Sequence, residues 1–134
     1  MRPPAPADDA NRPTVVLVDP DERFRAVLGQ LLHDHGYRVV MAVNYAQAIV
    51  ASRREDPAVI VTELRNGQVL TPDAYIQALR RHTPARLILH SDVLPSPFEL
   101  QAWGLWGAVV KGEPTRRLLD LVATACMVGR TRYG

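Results

Sequence analysis

Four polar side chains stand at the ends of short apolar runs, and together their chemical types could form a charged site. Asp19 and Glu63 carry carboxylates, Ser91 carries a hydroxyl and Lys111 an ammonium group. A carboxylate can accept hydrogen bonds or act as a nucleophile, while a hydroxyl and an ammonium group bind oxyanions. A single acid at such a place is usually a solvated loop residue or a helix cap. The prediction of a site therefore depends on whether the fold brings all four together.

The elements that would position these residues can be predicted from the apolar pattern. Runs without polar alternation indicate strands that are buried on both faces, as in a parallel sheet; they occur at 15–18, 38–41, 59–61, 87–89 and 108–110. Between them lie segments with helical spacing or helix-start signals. The first contains Phe24, Val27, Leu28, Leu31 and Leu32; the others are predicted over 44–55, from Thr71-Pro72, over 97–103 and from Glu113-Pro114.

Five strands alternating with five helices predict a doubly wound α/β domain with helices on both faces of a five-stranded parallel sheet. In such a sheet the ligand or reaction site lies beyond the carboxyl ends of the strands, where the strand order reverses. The positions of Asp19, Glu63, Ser91 and Lys111 all correspond to that edge. We therefore expect the four side chains to share one pocket.

Composition is that of a globular domain and favours no second module. The chain has 134 residues, of which 47% are hydrophobic and 22% charged, and its net charge of +2 is scattered along the sequence. These values predict one domain over 14–128, a Pro-rich disordered leader over 1–13 and a short tail over 129–134. They give little support for nucleic-acid binding. Without an apolar run that could span a membrane or serve as a signal peptide, we expect a cytoplasmic protein.

With these residues at these positions, the sequence resembles the receiver domains of bacterial response regulators. The resemblance covers roughly residues 14–128 and depends on matching segments in the order of the family, which are 15–19, 35–39, 57–64, 85–91 and 104–111. It implies a flavodoxin-like sheet with strand order 2-1-3-4-5. It also implies that position 63 is the phospho-acceptor, that Asp19 belongs to an acidic magnesium-binding pair, and that Ser91 and Lys111 bind the phosphoryl group.

The acceptor position departs from the family, because Glu63 stands where the family has aspartate. The extra methylene moves the carboxylate forward by about 1 Å, and a displacement of that size can cost on the order of 100-fold in rate. We therefore predict poor or absent phosphorylation. Two interpretations of Glu63 remain open: its carboxylate fixes the domain in one arrangement by binding Lys111 and Ser91, or it is a tolerated acid without a signalling role.

Further departures concern the metal site and the switch. Pro20 replaces the second acid of the family, which makes magnesium binding doubtful, and Asp21 could compensate or could simply begin the first helix. Ala108 stands at the switch position, where the family often has an aromatic ring, and Gly67 replaces a frequent proline. Lys111 is retained and is the only lysine of the chain. We expect no cofactor and no tight metal site.

Trp103 and Trp106 flank the fourth helix and the fifth strand, the region through which receivers usually dimerise or bind partners. Exposed tryptophan is enriched in binding hot spots, so both residues are predicted to belong to an interface, including that of a possible homodimer. The alternative is that one ring covers the sheet and fills the volume left by Ala108; this alternative is favoured more for Trp106 than for Trp103.

The predicted function is that of a stand-alone atypical receiver in two-component signalling. It would be a binding module without enzymatic activity, and its partners would be proteins such as a histidine kinase or a separate output protein, with no nucleic acid or membrane involved. One alternative is a conventional receiver that is phosphorylated on another acid such as Asp19. A less favoured alternative is a small flavodoxin-like ligand carrier, because the acidic segment after the first strand would repel phosphate.

Overall fold

The computed structural model describes residues 12–65 and 70–133, and the side chains as far as residue 127. Strands and helices alternate in the order β1 Thr14–Val18, α1 Glu22–Asp34, β2 Arg38–Ala42, α2 Tyr45–Glu55, β3 Val59–Thr62, α3 Pro72–His82, β4 Arg86–Ser91, α4 Pro97–Ala102, β5 Gly107–Val110 and α5 Thr115–Tyr133. All strand pairs are parallel and the sheet order is β2-β1-β3-β4-β5. The predicted fold class is confirmed.

Local signals explain where three helices begin. Asn44 accepts a hydrogen bond from the backbone N–H of Gln47 at the start of α2, and Thr71 accepts one from Ala74 at the start of α3. At α4, Ser96 and Glu99 form a reciprocal capping box. The last helix, α5, continues to Tyr133 and so extends beyond residue 128, the predicted end of the domain.

The sheet separates two apolar cores. Side chains of α1 and α5 pack on one face, where Leu32 and Leu118 are fully buried. Side chains of α2, α3 and α4 pack on the other face, around Tyr75 and Leu79. Because helices cover both faces, the central strands are buried along nearly their whole length, as their continuous apolar sequences predicted.

The second strand was predicted to be as buried as the others, and this prediction was wrong. β2 lies at the edge of the sheet, so it has one strand neighbour, and Met41 on it is half exposed. Pro13 is the last residue of the predicted leader. Pro13 accepts a backbone hydrogen bond of 2.9 Å from Arg38 at the start of β2, so this residue contacts the sheet. Residues 1–11 and Gly67 lie outside the described residues.

Candidate functional site

Parallel pairing places the predicted site residues together at the carboxyl ends of the strands. The backbone N–H of Glu63 donates to the carbonyl of Val18, directly before Asp19, at 2.9 Å. The N–H of Lys111 donates to the carbonyl of Ser91, also at 2.9 Å. Four side chains from four different strand ends therefore meet in one cleft, which is the arrangement that the positions in the sequence predicted.

Lys111 is the centre of this cleft. Its Nζ lies 2.8 Å from Oδ2 of Asp19 and 2.8 Å from Oε2 of Glu63. The side chains are 6% exposed for Lys111 and 1% for Asp19, so these ion pairs are shielded from water. Nζ also lies 4.4 Å from the centroid of the Phe24 ring, which closes the site from α1 and stabilises the cation.

The carboxylate of Glu63 is held at both oxygens. Oε2 pairs with Lys111, while Oε1 accepts hydrogen bonds from the Ser91 hydroxyl and from the backbone N–H groups of Leu64, at 2.8 Å, and Arg65, at 3.3 Å. A carboxylate that accepts this many donors is fixed in position and has reduced electron density for attack on an electrophile. The hydroxyl and the ammonium group that could bind an incoming oxyanion already bind Glu63.

The cleft shifts two pKa values in opposite directions. For Glu63, desolvation raises the pKa, but hydrogen bonds from Lys111, Ser91 and the backbone of Arg65 outweigh it, so the net pKa is lowered. For Lys111, desolvation lowers the pKa, but hydrogen bonds to Asp19 and Glu63 outweigh it and the net pKa is raised. Both shifts favour the charged forms, so the ion pair of Glu63 with Lys111 persists at neutral pH.

The oxygen atoms of the cleft do not fit a magnesium ion. Magnesium needs several oxygen ligands in octahedral geometry. Here Oδ2 of Asp19 pairs with Lys111, Oδ1 accepts the N–H of Asp21 at 2.9 Å, and Pro20 offers no side-chain oxygen. Among the described residues, no cluster of three or more His, Cys, Asp or Glu side chains could hold a metal. The arrangement therefore favours an internal ion pair over a cation site.

Asp21 is placed at the start of α1 and not beside the lysine. Its carboxylate accepts a hydrogen bond of 2.9 Å from the N–H of Arg23 and so caps the helix. Of the two roles considered for this residue, the structure therefore shows the helix cap. Asp21 still influences the site indirectly, because its backbone N–H holds the Asp19 carboxylate toward Lys111.

The two tryptophans have different environments. Trp103 is only 7% exposed and lies in the same core cluster as Ala108. The prediction that Trp103 belongs to an interface is therefore corrected, because its side chain is part of the core. Trp103 therefore lies on the same side of the sheet as the small switch residue, whereas Trp106 packs against the other core cluster. Trp106 is partly exposed, donates from Nε1 to the Thr124 hydroxyl at 3.2 Å, and lies under the guanidinium group of Arg86.

Sequence reasoning missed three residues near this edge. Phe24 was assigned only to the apolar face of α1, yet its ring contacts Lys111 and, edge to face, His90. His90 is buried, no described residue bonds its Nδ1, and desolvation followed by the charge of Lys111 lowers its pKa. Phe98 on α4 is 79% exposed. Its position directly after Pro97 was visible in the sequence, but a helix of six residues shows no periodicity from which exposure could be predicted.

The comparisons with known proteins concern the fold. No protein-family model and no curated protein matches the sequence. The structure is similar to a CheY-like response regulator receiver domain protein from Methanospirillum hungatei JF-1, with a TM-score of 0.81, 14% identity, and coverage of 90% of this chain and 98% of that chain. Within the described residues, no helix has both the length and the apolar character needed to cross a bilayer.

Two further solved structures are similar in fold to this chain. The chemotaxis protein CheY4 of Vibrio cholerae has a TM-score of 0.73 and 22% identity, with 85% of this chain and 98% of that chain covered. A response regulator from Burkholderia pseudomallei, with a phosphorylated aspartic acid, a calcium ion and citrate, has a TM-score of 0.72 and 22% identity over 90% of this chain and 73% of that chain. The likeness shows that this chain has the fold of response-regulator receiver domains.

Proposed function

We propose that this chain is an atypical receiver domain of two-component signalling that acts by binding protein partners and is not phosphorylated. One observation carries the proposal: the Glu63 carboxylate already binds the ammonium group of Lys111 and the hydroxyl of Ser91. These are the donors that a phosphoryl group would need. In this proposal Glu63 fixes the pocket in a single arrangement, and the protein has no catalytic activity of its own.

The same geometry argues against a conventional receiver that uses another acid. Asp19 is the nearest candidate, but its carboxylate is 1% exposed and is held by Lys111 and by the N–H of Asp21. A nucleophile in that state would have to break a buried ion pair before it reached a phosphoryl donor. We therefore do not assign a phosphorylation role to Asp19.

Partner binding is assigned to the surface beside α4. Phe98 is 79% exposed and Val93, in the loop that leads to α4, is also exposed. Exposed large apolar side chains support a protein contact, and an aromatic residue can supply the anchor. The proposed partners are a histidine kinase, a separate output protein or a second copy of the chain. With Trp103 buried, Phe98 takes its place in the proposed interface.

Incubation of the protein with acetyl phosphate and Mg²⁺ tests the proposal. We expect the intact mass to stay unchanged and the backbone NMR spectrum to be insensitive to beryllofluoride with Mg²⁺, since the donors of the pocket are bound to Glu63. A receiver with aspartate at the acceptor position, treated in parallel, shows that the reagents work. A stoichiometric adduct on Glu63 would overturn the proposal, and one on Asp19 would establish the conventional alternative.

A further inference from the structure

A second polar site lies at the opposite end of the strands from the cleft around Lys111, where β4 and β5 begin. It is a cavity of about 210 Å³ lined by residues that include Arg80, Thr83, Arg86, Gly104 and Trp106. Two of these residues are arginines. None of the ion pairs among the described residues involves either guanidinium group. The cavity therefore presents positive charge without a counter-ion from the described part of the chain.

Arg86 is the residue that points to a ligand. Its guanidinium carbon lies 4.9 Å from the centroid of the Trp106 ring. Its Nε is buried, and no described residue accepts a hydrogen bond from it. A buried donor without a partner costs free energy, and the contact with the ring satisfies the charge but not the N–H group. Nη1 and Nη2 of the same group are not buried and have no acceptor among the described residues, so an acceptor from outside the chain can reach the guanidinium group there.

The surrounding residues hold the arginines in place. Trp106 is anchored to α5, because its Nε1 donates to the Thr124 hydroxyl at 3.2 Å. Arg80 donates from Nη1 to the carbonyl of Gly104 at 3.0 Å. Gly104 has φ +67°, and a Cβ there would lie 2.8 Å from Nη2 of Arg80, so glycine permits both the turn and the close approach of the guanidinium group.

We infer that this cavity binds a small oxyanion, either a phosphate or a carboxylate group, between Arg80 and Arg86. The planar guanidinium group matches the spacing of oxygens in both kinds of anion. The volume is below the range of about 300–1,000 Å³ that is typical of sites for drug-sized molecules, which favours a small anion. The site is separate from the cleft around Lys111, so it does not depend on the proposed receiver function.

Fluorescence of Trp106 provides the test. The chain has two tryptophans, so the variant Trp103→Phe leaves Trp106 as the only reporter. Pyrophosphate and malonate are titrated separately at constant ionic strength, because screening by salt alone changes weak electrostatic binding. We expect a saturable change of the Trp106 emission with at least one of the two. Tighter binding of pyrophosphate assigns the site to phosphate groups, and tighter binding of malonate assigns it to carboxylates.

Variants made in the same Trp103→Phe protein distinguish the site from general charge attraction. Arg86→Met should weaken binding at least about tenfold, as expected for loss of a hydrogen bond to a charged group. Arg80→Met should also weaken it, whereas Arg81→Met, which removes the exposed neighbouring charge on α3, should leave it unchanged.

Circular dichroism checks that each variant folds, and Arg86→Lys replaces Arg86→Met if the latter does not. Arg86→Lys keeps the charge but not the planar fork, so it should also bind more weakly than the reference protein. The inference is overturned if neither anion gives a saturable signal. It is equally overturned if the folded variants of Arg86 and Arg80 bind as tightly as the Arg81→Met control.

Discussion

Replacement of Lys111 by methionine is expected to lower the free energy of unfolding by about 3–5 kcal/mol, as is typical when one partner of a buried ion pair is removed. The variant would leave the carboxylates of Asp19 and Glu63 buried, each formerly 2.8 Å from the same nitrogen, with no cation between them. Urea unfolding, followed by circular dichroism at neutral pH, measures the change.

Two further variants show whether the loss of stability comes from the buried ion pairs. Arg116→Met removes an exposed cation from α5 and should change the stability by less than about 0.5 kcal/mol. Lys111→Met combined with Glu63→Gln should recover part of the loss, because one of the two buried charges is gone. If Lys111→Met alone costs less than about 1 kcal/mol, the ion pairs of the cleft contribute no more to stability than exposed ion pairs do.

The second large effect is a gain of phosphorylation in the double variant Pro20→Asp, Glu63→Asp. A shorter side chain at position 63 would withdraw the carboxylate from Ser91 and Lys111, whose donors would then be available to the phosphoryl oxygens. Aspartate at position 20 would add the oxygen ligand that proline lacks, and so favour Mg²⁺. We expect the rate of labelling by acetyl phosphate to rise at least about 100-fold above that of the unmodified protein.

The single variants separate the effect of the shorter acid at position 63 from that of the added metal ligand at position 20. Pro20→Asp alone should remain unlabelled, since Glu63 still binds the donors of the pocket, while Glu63→Asp alone should be labelled slowly for want of a metal ligand. Intact mass after a time course, with and without Mg²⁺, gives all four rates. A double variant that folds but stays unlabelled would show that Glu63 is not what prevents phosphorylation.

The fold could be predicted because each of its signals is local. Apolar runs, the caps Asn44 and Thr71 and the segment order are properties of adjacent residues, and they gave the correct element sequence. The sheet order came from the resemblance to receiver domains, because strand order is not a local property. Parallel pairing then determines which strand ends meet. The meeting of Lys111 with Asp19 and Glu63 follows from topology together with side-chain length, so it too was accessible to sequence reasoning.

What could not be predicted depends on side-chain direction and on non-local packing. Whether Trp103 enters the core or faces solvent is decided by the rotation of a short helix, for which the sequence contains no periodic signal. The contact of Phe24 with Lys111 requires the position of α1 over the sheet. The unpartnered Nε of Arg86 is apparent only when every neighbouring acceptor is known.

Glu63 and Asp19 hold the ammonium group of Lys111, and this contact can be measured directly because the chain has a single lysine. NMR of the side-chain ammonium nitrogen would give one lysine resonance, which can be followed as pH rises. Because the folded-state pKa of Lys111 is raised, its ion pairs contribute full stability below the ordinary value of 10.5, and that stability is lost as pH rises through the folded pKa.

We predict a pKa above 10.5 for Lys111 in the unmodified protein, and a lower value in Glu63→Gln, which removes one of the two carboxylates. An Nζ resonance that titrates at or below 10.5, and does not respond to Glu63→Gln, would show that the two carboxylates do not hold the ammonium group.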